Sequence, residues 1–63
     1  MKDKNGKIIE IGDLVDVPDP NPDDAYNHEF QGQVAGFHGD FVSVEDGDND
    51  VFDIEPERLV VLP

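Results

Sequence analysis

Four carboxylates in the C-terminal third of the sequence fall at the spacing of a calcium-binding loop. Asp46, Asp48 and Asp50, followed by Glu57, occupy positions one, three, five and twelve of such a loop, where oxygen ligands suit a hard divalent cation. The sixth position is Val51, however, where a calcium loop needs glycine for its sharp turn. We therefore predict an acidic hairpin tip and no metal or other cofactor, with these four residues as the one weak metal candidate.

Side chains suited to covalent catalysis are scarce. The sequence has no cysteine, and its one serine, Ser43, lies between two valines with no base nearby in sequence. His28 and His38 are ten residues apart, which matches no common metal-ligand spacing. We predict that the Ser43 hydroxyl points outward from a strand and that both histidines are solvated. We predict no enzymatic activity. A histidine placed beside carboxylates would instead respond to mild acid.

The five aromatic residues have two alternative roles. They are Tyr26, Phe30, Phe37, Phe41 and Phe52. Aromatic rings with a nearby acid can enclose a methylated cation. Four of the five are phenylalanine, a usual core residue in a domain with few large side chains, so the pattern favours a core role. Phe37 and Phe41 flank a predicted turn and should be the most exposed.

The charge balance bounds the class of partner. Sixteen acidic residues face three lysines and one arginine, which gives a net charge of −12. Residues 1–7 contain all three lysines and one acid, so residues 8–63 contain one arginine and the other fifteen acids. This field repels nucleic acid and anionic membranes and attracts basic proteins, although it can also serve only for solubility. Crowded carboxylates should have raised pKa values, which would make the fold more stable as pH falls.

Length and hydropathy indicate one domain covering residues 1–63. A chain of 63 residues cannot support two cores. Its longest apolar run, Leu59–Leu62, is four residues, far short of the roughly 20 that a membrane span needs. Residues 1–7 lack the apolar stretch of a secretory signal and should form a hairpin turn or be mobile. We expect a cytoplasmic monomer or weak homodimer.

Apolar residues alternate along the chain, which favours β-strands. The predicted strands are Leu14–Val17, Phe30–Phe37, Phe41–Glu45, Asp50–Ile54 and Leu59–Leu62, after a short extended segment at Ile8–Ile11. Three alternating prolines from Pro18 to Pro22 predict a long loop, in which Asn21 could cap a helix of one or two turns. Pro56 predicts a short 3-10 turn before the last strand.

This layout resembles the SH3-like small barrels. Gly32–Gly36 followed by Phe41–Val44 is similar to the glycine-turn-strand core of Tudor and KOW domains, and the resemblance covers most of the chain. It implies an all-β fold, a five-stranded SH3-like small barrel with a 3-10 turn before the last strand. The basic residues with which KOW domains contact RNA are absent here, as is any tryptophan. The resemblance therefore implies the fold but no direct binding to nucleic acid.

The N-terminal quarter carries a second resemblance. Lys2–Glu10 and Gly12–Val15 look like the opening motif of YopX-like proteins from phages and prophages. This implies a mobile-element origin and a hairpin followed by a barrel strand. It carries over no functional residue.

These features predict a non-catalytic interaction module that binds a basic protein or peptide. The alternative is a DNA mimic, possible for a phage protein, whose carboxylates reproduce a phosphate array and occupy a DNA-binding protein. A mimic would compete with duplex DNA for its partner, whereas a module need not. The long loop combines acids with an aromatic residue and is the predicted docking surface. The predicted contact residues are Asp19, Asp23, Asp24, Tyr26, Glu29, Phe37 and Phe41.

Overall fold

The computed structural model describes all residues, 1–63, and contains one antiparallel sheet of five strands. The strands are β1 (Leu14–Val17), β2 (Phe30–His38), β3 (Phe41–Glu45), β4 (Val51–Ile54) and β5 (Val60–Val61), with a 3-10 helix at Pro56–Arg58. They lie in the order β4-β3-β2-β1-β5. The predicted all-β class, the five strands and the lone 3-10 turn before the last strand are confirmed.

Alternating burial along the strands builds the core. In β1, Val15 and Val17 point inward while Asp16 is exposed, and in β3 Val42 and Val44 point inward. The sheet curves around these residues into a small domain measuring 25 × 23 × 21 Å. The buried core residues are Ile9, Val15, Val17, Tyr26, Val34, Val42, Val44, Ile54, Leu59 and Val61.

A glycine lets β2 pass close to β3. A Cβ atom at Gly32 would lie 2.6 Å from Val44 Cγ1 and 2.7 Å from the carbonyl oxygen of Glu45, both too short for any side chain. The pairing of β2 with β3 then shifts register between Val34 and Gly36. Gly32 therefore fixes the distance between the two strands where β3 approaches its turn into β4.

A buried aspartate ties the N-terminal residues to β5. One carboxylate oxygen of Asp3 accepts hydrogen bonds from the backbone N–H groups of Asn5 (2.9 Å) and Lys7 (2.8 Å), and the other accepts from Val61 (2.8 Å). The Val61 hydrogen bond is the main reason why the pKa of Asp3 lies below its usual value. A β-bridge between residues 2 and 8 closes the same turn. Residues 1–8 thus form a hairpin-like turn held against the last strand.

The extended segment expected at Ile8–Ile11 is interrupted at its end: Ile8 forms a β-bridge with Lys2, whereas Ile11 and Gly12 form a turn in which Gly12 adopts φ +95°. The helix expected after Asn21 is absent. The backbone N–H of Asn21 instead donates to the Asp24 carboxylate at 2.7 Å and closes an isolated turn. No helix in the chain has the length and apolarity that crossing a membrane would take.

Candidate functional site

The long loop between β1 and β2 is anchored by the only arginine of the chain. Arg58 Nη2 lies 2.9 Å from Asp24 Oδ2 and donates a hydrogen bond to the Tyr26 hydroxyl at 3.0 Å. The Tyr26 hydroxyl in turn donates to the carbonyl oxygen of Pro18 at 2.9 Å. Arg58 Nη1 also lies 3.4 Å from Glu55 Oε1. These contacts fasten the loop to the 3-10 helix.

The same contacts shift the pKa values of the groups that make them. The guanidinium of Arg58 lowers the pKa of Asp24, and the Asp24 carboxylate raises that of Arg58. Burial raises the pKa of the Tyr26 hydroxyl. These shifts favour an ionised Asp24, a charged Arg58 and a neutral Tyr26 hydroxyl at neutral pH. The loop is therefore held by a charge-assisted hydrogen-bond network.

The structure divides the predicted contact residues of the loop into two groups. Asp19, Asp23 and Glu29 are exposed, and their carboxylates form no ion pair. Asp24 is half-buried against Arg58, and Tyr26 is only 5% exposed. The expectation that Asp24 and Tyr26 offer free side chains to a partner is therefore corrected, because both are engaged in holding the loop.

Phe37 and Phe41 are accessible but isolated from any concave surface. They flank the turn between β2 and β3 and are 44% and 42% exposed, as their position in the sequence predicts. Neither ring lines either of the two clefts in the molecule. They stay candidate contact residues through exposure alone.

The other three aromatic rings form one cluster. The ring centroids of Tyr26 and Phe30 are 5.6 Å apart with an edge-to-face angle of 79°, and Phe52 lies 5.9 Å from each of them. Phe30 and Phe52 are half-buried against the core. These rings pack on one another as core residues and do not form an open cage.

One side of this cluster forms the floor of a cleft, which we name the acid–aromatic cleft. It has a volume of about 180 Å³ and lies between the end of the long loop and the turn joining β3 to β4. Exposed Asp48 and Asp50 stand at its rim. The lining residues are Ala25, Tyr26, Asn27, His28, Phe30, Asp46, Asp48, Asp50 and Phe52.

Asp46 holds the second wall of this cleft in place. Its Oδ1 accepts hydrogen bonds from the backbone N–H groups of Asp48 (2.9 Å) and Asp50 (3.0 Å). The side-chain carboxylates of Asp48 and Asp50 form no ion pair within the protein. No three acidic or histidine side chains are arranged to hold a metal ion. The four residues of the calcium-loop candidate have separate places in the fold: Asp46 is the turn's own hydrogen-bond acceptor, Asp48 and Asp50 line the cleft, and Glu57 lies on the 3-10 helix.

A second, larger groove lies on the other side of Phe30. It has a volume of about 450 Å³ and runs along the exposed row in which Gln31, Asp16 and Val60 pair across β2, β1 and β5. Phe30 lines both this groove and the acid–aromatic cleft. The lining residues of the groove are Lys4, Asp16, Val17, Pro18, Glu29, Phe30, Gln31, Arg58 and Val60.

The one serine lies beside a histidine and an aspartate without forming a catalytic relay. Ser43 Oγ donates to Asp53 Oδ1 at 2.8 Å, and His38 Nδ1 lies 2.9 Å from Asp53 Oδ2. Both contacts lower the pKa of Asp53, the His38 hydrogen bond more than that of Ser43. Asp53 thus stands between the other two, whereas a nucleophilic serine needs the histidine as its direct neighbour.

The sequence does not predict that the residues lining the acid–aromatic cleft lie together. The sequence pattern favours a core role for Phe30 and Phe52 and a solvated loop position for His28. Asp48 and Asp50 fall in a calcium-loop spacing, which does not predict their place beside aromatic rings. No protein-family model, curated protein or solved structure matches the chain. Function is therefore proposed from the geometry of the cleft and the groove.

Proposed function

We propose that this protein is a non-catalytic interaction module with an SH3-like barrel, and that it binds a basic protein segment at the acid–aromatic cleft. One observation carries the proposal: aromatic rings and carboxylates that form no ion pair within the protein face the same cleft. A cationic side chain entering it meets the rings of Phe30 and Phe52 and the carboxylates of Asp48 and Asp50.

The size of the cleft supports a single side chain as its occupant. Sites for whole small molecules usually measure about 300–1,000 Å³. A cleft of about 180 Å³ suits the end of a lysine or arginine better than a cofactor or metabolite. The ligand is therefore a protruding side chain of a larger partner.

Two physical effects favour a cation there. Contact between a cation and an aromatic face contributes about 0.5–1 kcal/mol at exposed sites and about 2 kcal/mol when water is excluded. The net charge of −12 draws basic partners toward the surface and raises their association rate, an effect that salt suppresses. The cation–aromatic contact favours the cleft as the binding site, and the net negative charge favours a basic protein as the partner.

The proposal is tested by neutralising the rim of the cleft. We expect the double variant Asp48→Asn/Asp50→Asn to bind an acetylated tetralysine amide about fivefold more weakly than the wild type, from roughly 0.5 kcal/mol per exposed charge. Isothermal titration calorimetry measures this loss. The control is Asp40→Asn/Glu57→Gln, which removes the same charge at exposed positions outside both clefts. An equal loss in both variants would mean that net charge alone attracts the peptide.

A DNA mimic would behave differently in competition. A mimic occupies the DNA-binding surface of its partner and must compete with duplex DNA, whereas a module that holds another basic segment need not. Release by DNA at equal ionic strength, measured by fluorescence anisotropy, would favour the mimic over the module.

A further inference from the structure

We propose that the larger groove binds a carboxylate of the same partner segment through Lys4. This inference rests on the proposed function, since it concerns the part of the partner that runs past the acid–aromatic cleft. The ligand of the combined site is then a segment with a cationic side chain on one side of Phe30 and an anionic group on the other.

The two concave surfaces are neighbours that share the ring of Phe30. This ring lines both the acid–aromatic cleft and the larger groove, and residue 29, which also lines the groove, follows His28 of the cleft directly. The half-buried residues Pro18, Phe30 and Val60 supply the apolar part of the groove. A segment that inserts a side chain into the cleft can therefore lay its following residues in the groove, covering apolar surface as it does so.

The cations of the groove are not equivalent. Arg58 is committed to Asp24 and Glu55, and only 17% of its side chain is exposed. The side chain of Lys4 forms no ion pair, although the protein carries sixteen acids. Its backbone is fixed, because the Lys4 N–H donates to the carbonyl oxygen of Leu59 at 2.9 Å. Lys4 is thus the available cation in the groove.

The groove also disfavours a uniformly basic segment. Asp16 and Glu29 can face a second cation of the ligand, but a cation placed at Lys4 is repelled. General attraction to a protein of charge −12 would make any added carboxylate on the ligand unfavourable. Only a cation close to the ligand carboxylate can offset that penalty. The change in affinity when a carboxylate is added to the ligand therefore distinguishes a local contact with Lys4 from the effect of the protein's net charge.

Three acetylated peptides test the inference against the wild-type protein. The first is tetralysine ending in an amide, the second is tetralysine ending in a free carboxylate, and the third is tetralysine followed by one glutamate and an amide. The second and third distinguish a terminal carboxylate from a side-chain one. Dissociation constants are measured by calorimetry for the wild type, for Lys4→Gln, and for the control Lys2→Gln. The control makes the same change in net charge at an exposed lysine outside the groove.

We expect the wild type and Lys2→Gln to bind at least one carboxylate peptide as tightly as the amide. In Lys4→Gln that peptide should lose affinity relative to the amide by about two- to fivefold, the range for an exposed ion pair. If both carboxylate peptides bind less tightly than the amide to the wild type, or if Lys4→Gln leaves the ratio unchanged, the inference is overturned while the proposed function stands. If none of the three peptides binds, the proposed function fails and the inference fails with it.

Discussion

The two segments that border the acid–aromatic cleft, the long loop and the turn between β3 and β4, each contain three aspartates, yet they are held in opposite ways. The long loop is held by side chains distant in sequence: Arg58 reaches back to Asp24, and Tyr26 enters the core. The turn between β3 and β4 is held by its own first residue, because Asp46 accepts two backbone N–H groups within four residues.

This difference determines which acids are engaged in holding each segment. In the loop, Asp24 is consumed by the anchor, and the aromatic residue beside it is buried. In the turn, Asp46 accepts the backbone hydrogen bonds, while the side chains of Asp48 and Asp50 are exposed and form no ion pair. The free acids of the loop, Asp19, Asp23 and Glu29, lie outside the lining of the acid–aromatic cleft, whereas the free acids of the turn, Asp48 and Asp50, line it.

The largest effect should come from breaking the long-range anchor. We expect Tyr26→Ala to lower the free energy of unfolding by about 3–5 kcal/mol, the usual cost of removing a buried aromatic ring. That is comparable to the whole stability of so small a domain. Urea unfolding followed by circular dichroism measures the loss. The exposed ring of Phe37 provides the control, and equal losses for Phe37→Ala and Tyr26→Ala would show that the loop is not anchored through the core.

A smaller effect should come from changing the spacing of the strands that lead to the turn. Gly32→Ala places a methyl group against Val44 and the Glu45 backbone, so we expect a loss of about 1–3 kcal/mol from overpacking. Gly36→Ala is the matched control, since a Cβ there meets nothing within 4 Å. Thermal melts of the two variants test this prediction, which expects a lower melting temperature for Gly32→Ala than for Gly36→Ala. Equal melting temperatures would mean that β2 and β3 can move apart without loss of stability.

Removing the local acceptor should cost still less. Asp46→Ala deletes two hydrogen bonds at an accessible turn, and we expect a loss of about 1 kcal/mol with amide shift changes centred on residues 46–50. Two-dimensional NMR measures the size of the amide shift changes and identifies the residues at which they occur. Shift changes that spread to the Arg58 network would show that the two walls are coupled and not independently built.

Mild acidification from neutral pH should change the stability of the fold least of all. At lower pH, protonation should act mainly on the hydrogen-bonded aspartates Asp3, Asp24 and Asp53. Asp3, Asp24 and Asp53 have pKa values below the usual 3.8, opposite to the raised values expected from crowding, because hydrogen bonds from partners outweigh repulsion at these sites. A lowered folded-state pKa stabilises the fold above the unfolded value, and that stability is lost as pH falls through the folded value. Melting temperatures should therefore drop below about pH 4, and less steeply in Asp3→Asn. A rise in wild-type stability on acidification from pH 4 to pH 2.5 would contradict this.

The sequence predicts what depends on local pattern. Alternation in Leu14–Val17 and Phe41–Glu45 gives the strands and their buried faces, and Pro56 gives the 3-10 turn. What it misses depends on contacts between distant residues. The bond from Val61 to Asp3 spans 58 positions, and the hydrogen bond from Arg58 to Tyr26 spans 32. No local sequence pattern predicts either pair. The sequence alone therefore predicts that Asp24 and Tyr26 are exposed in the loop, although both are engaged in its anchoring.

The most direct test of the account places a ligand cation against the aromatic floor. In a complex of the isotope-labelled protein with acetylated tetralysine amide, we predict intermolecular nuclear Overhauser effects between the lysine ε-methylene protons and the ring protons of Phe30 and Phe52. The rings of Phe37 and Phe41, exposed but outside both clefts, should show none. Contacts to Phe37 and Phe41 in place of Phe30 and Phe52, or shift changes spread evenly over all acidic residues, would contradict a basic side chain in the acid–aromatic cleft.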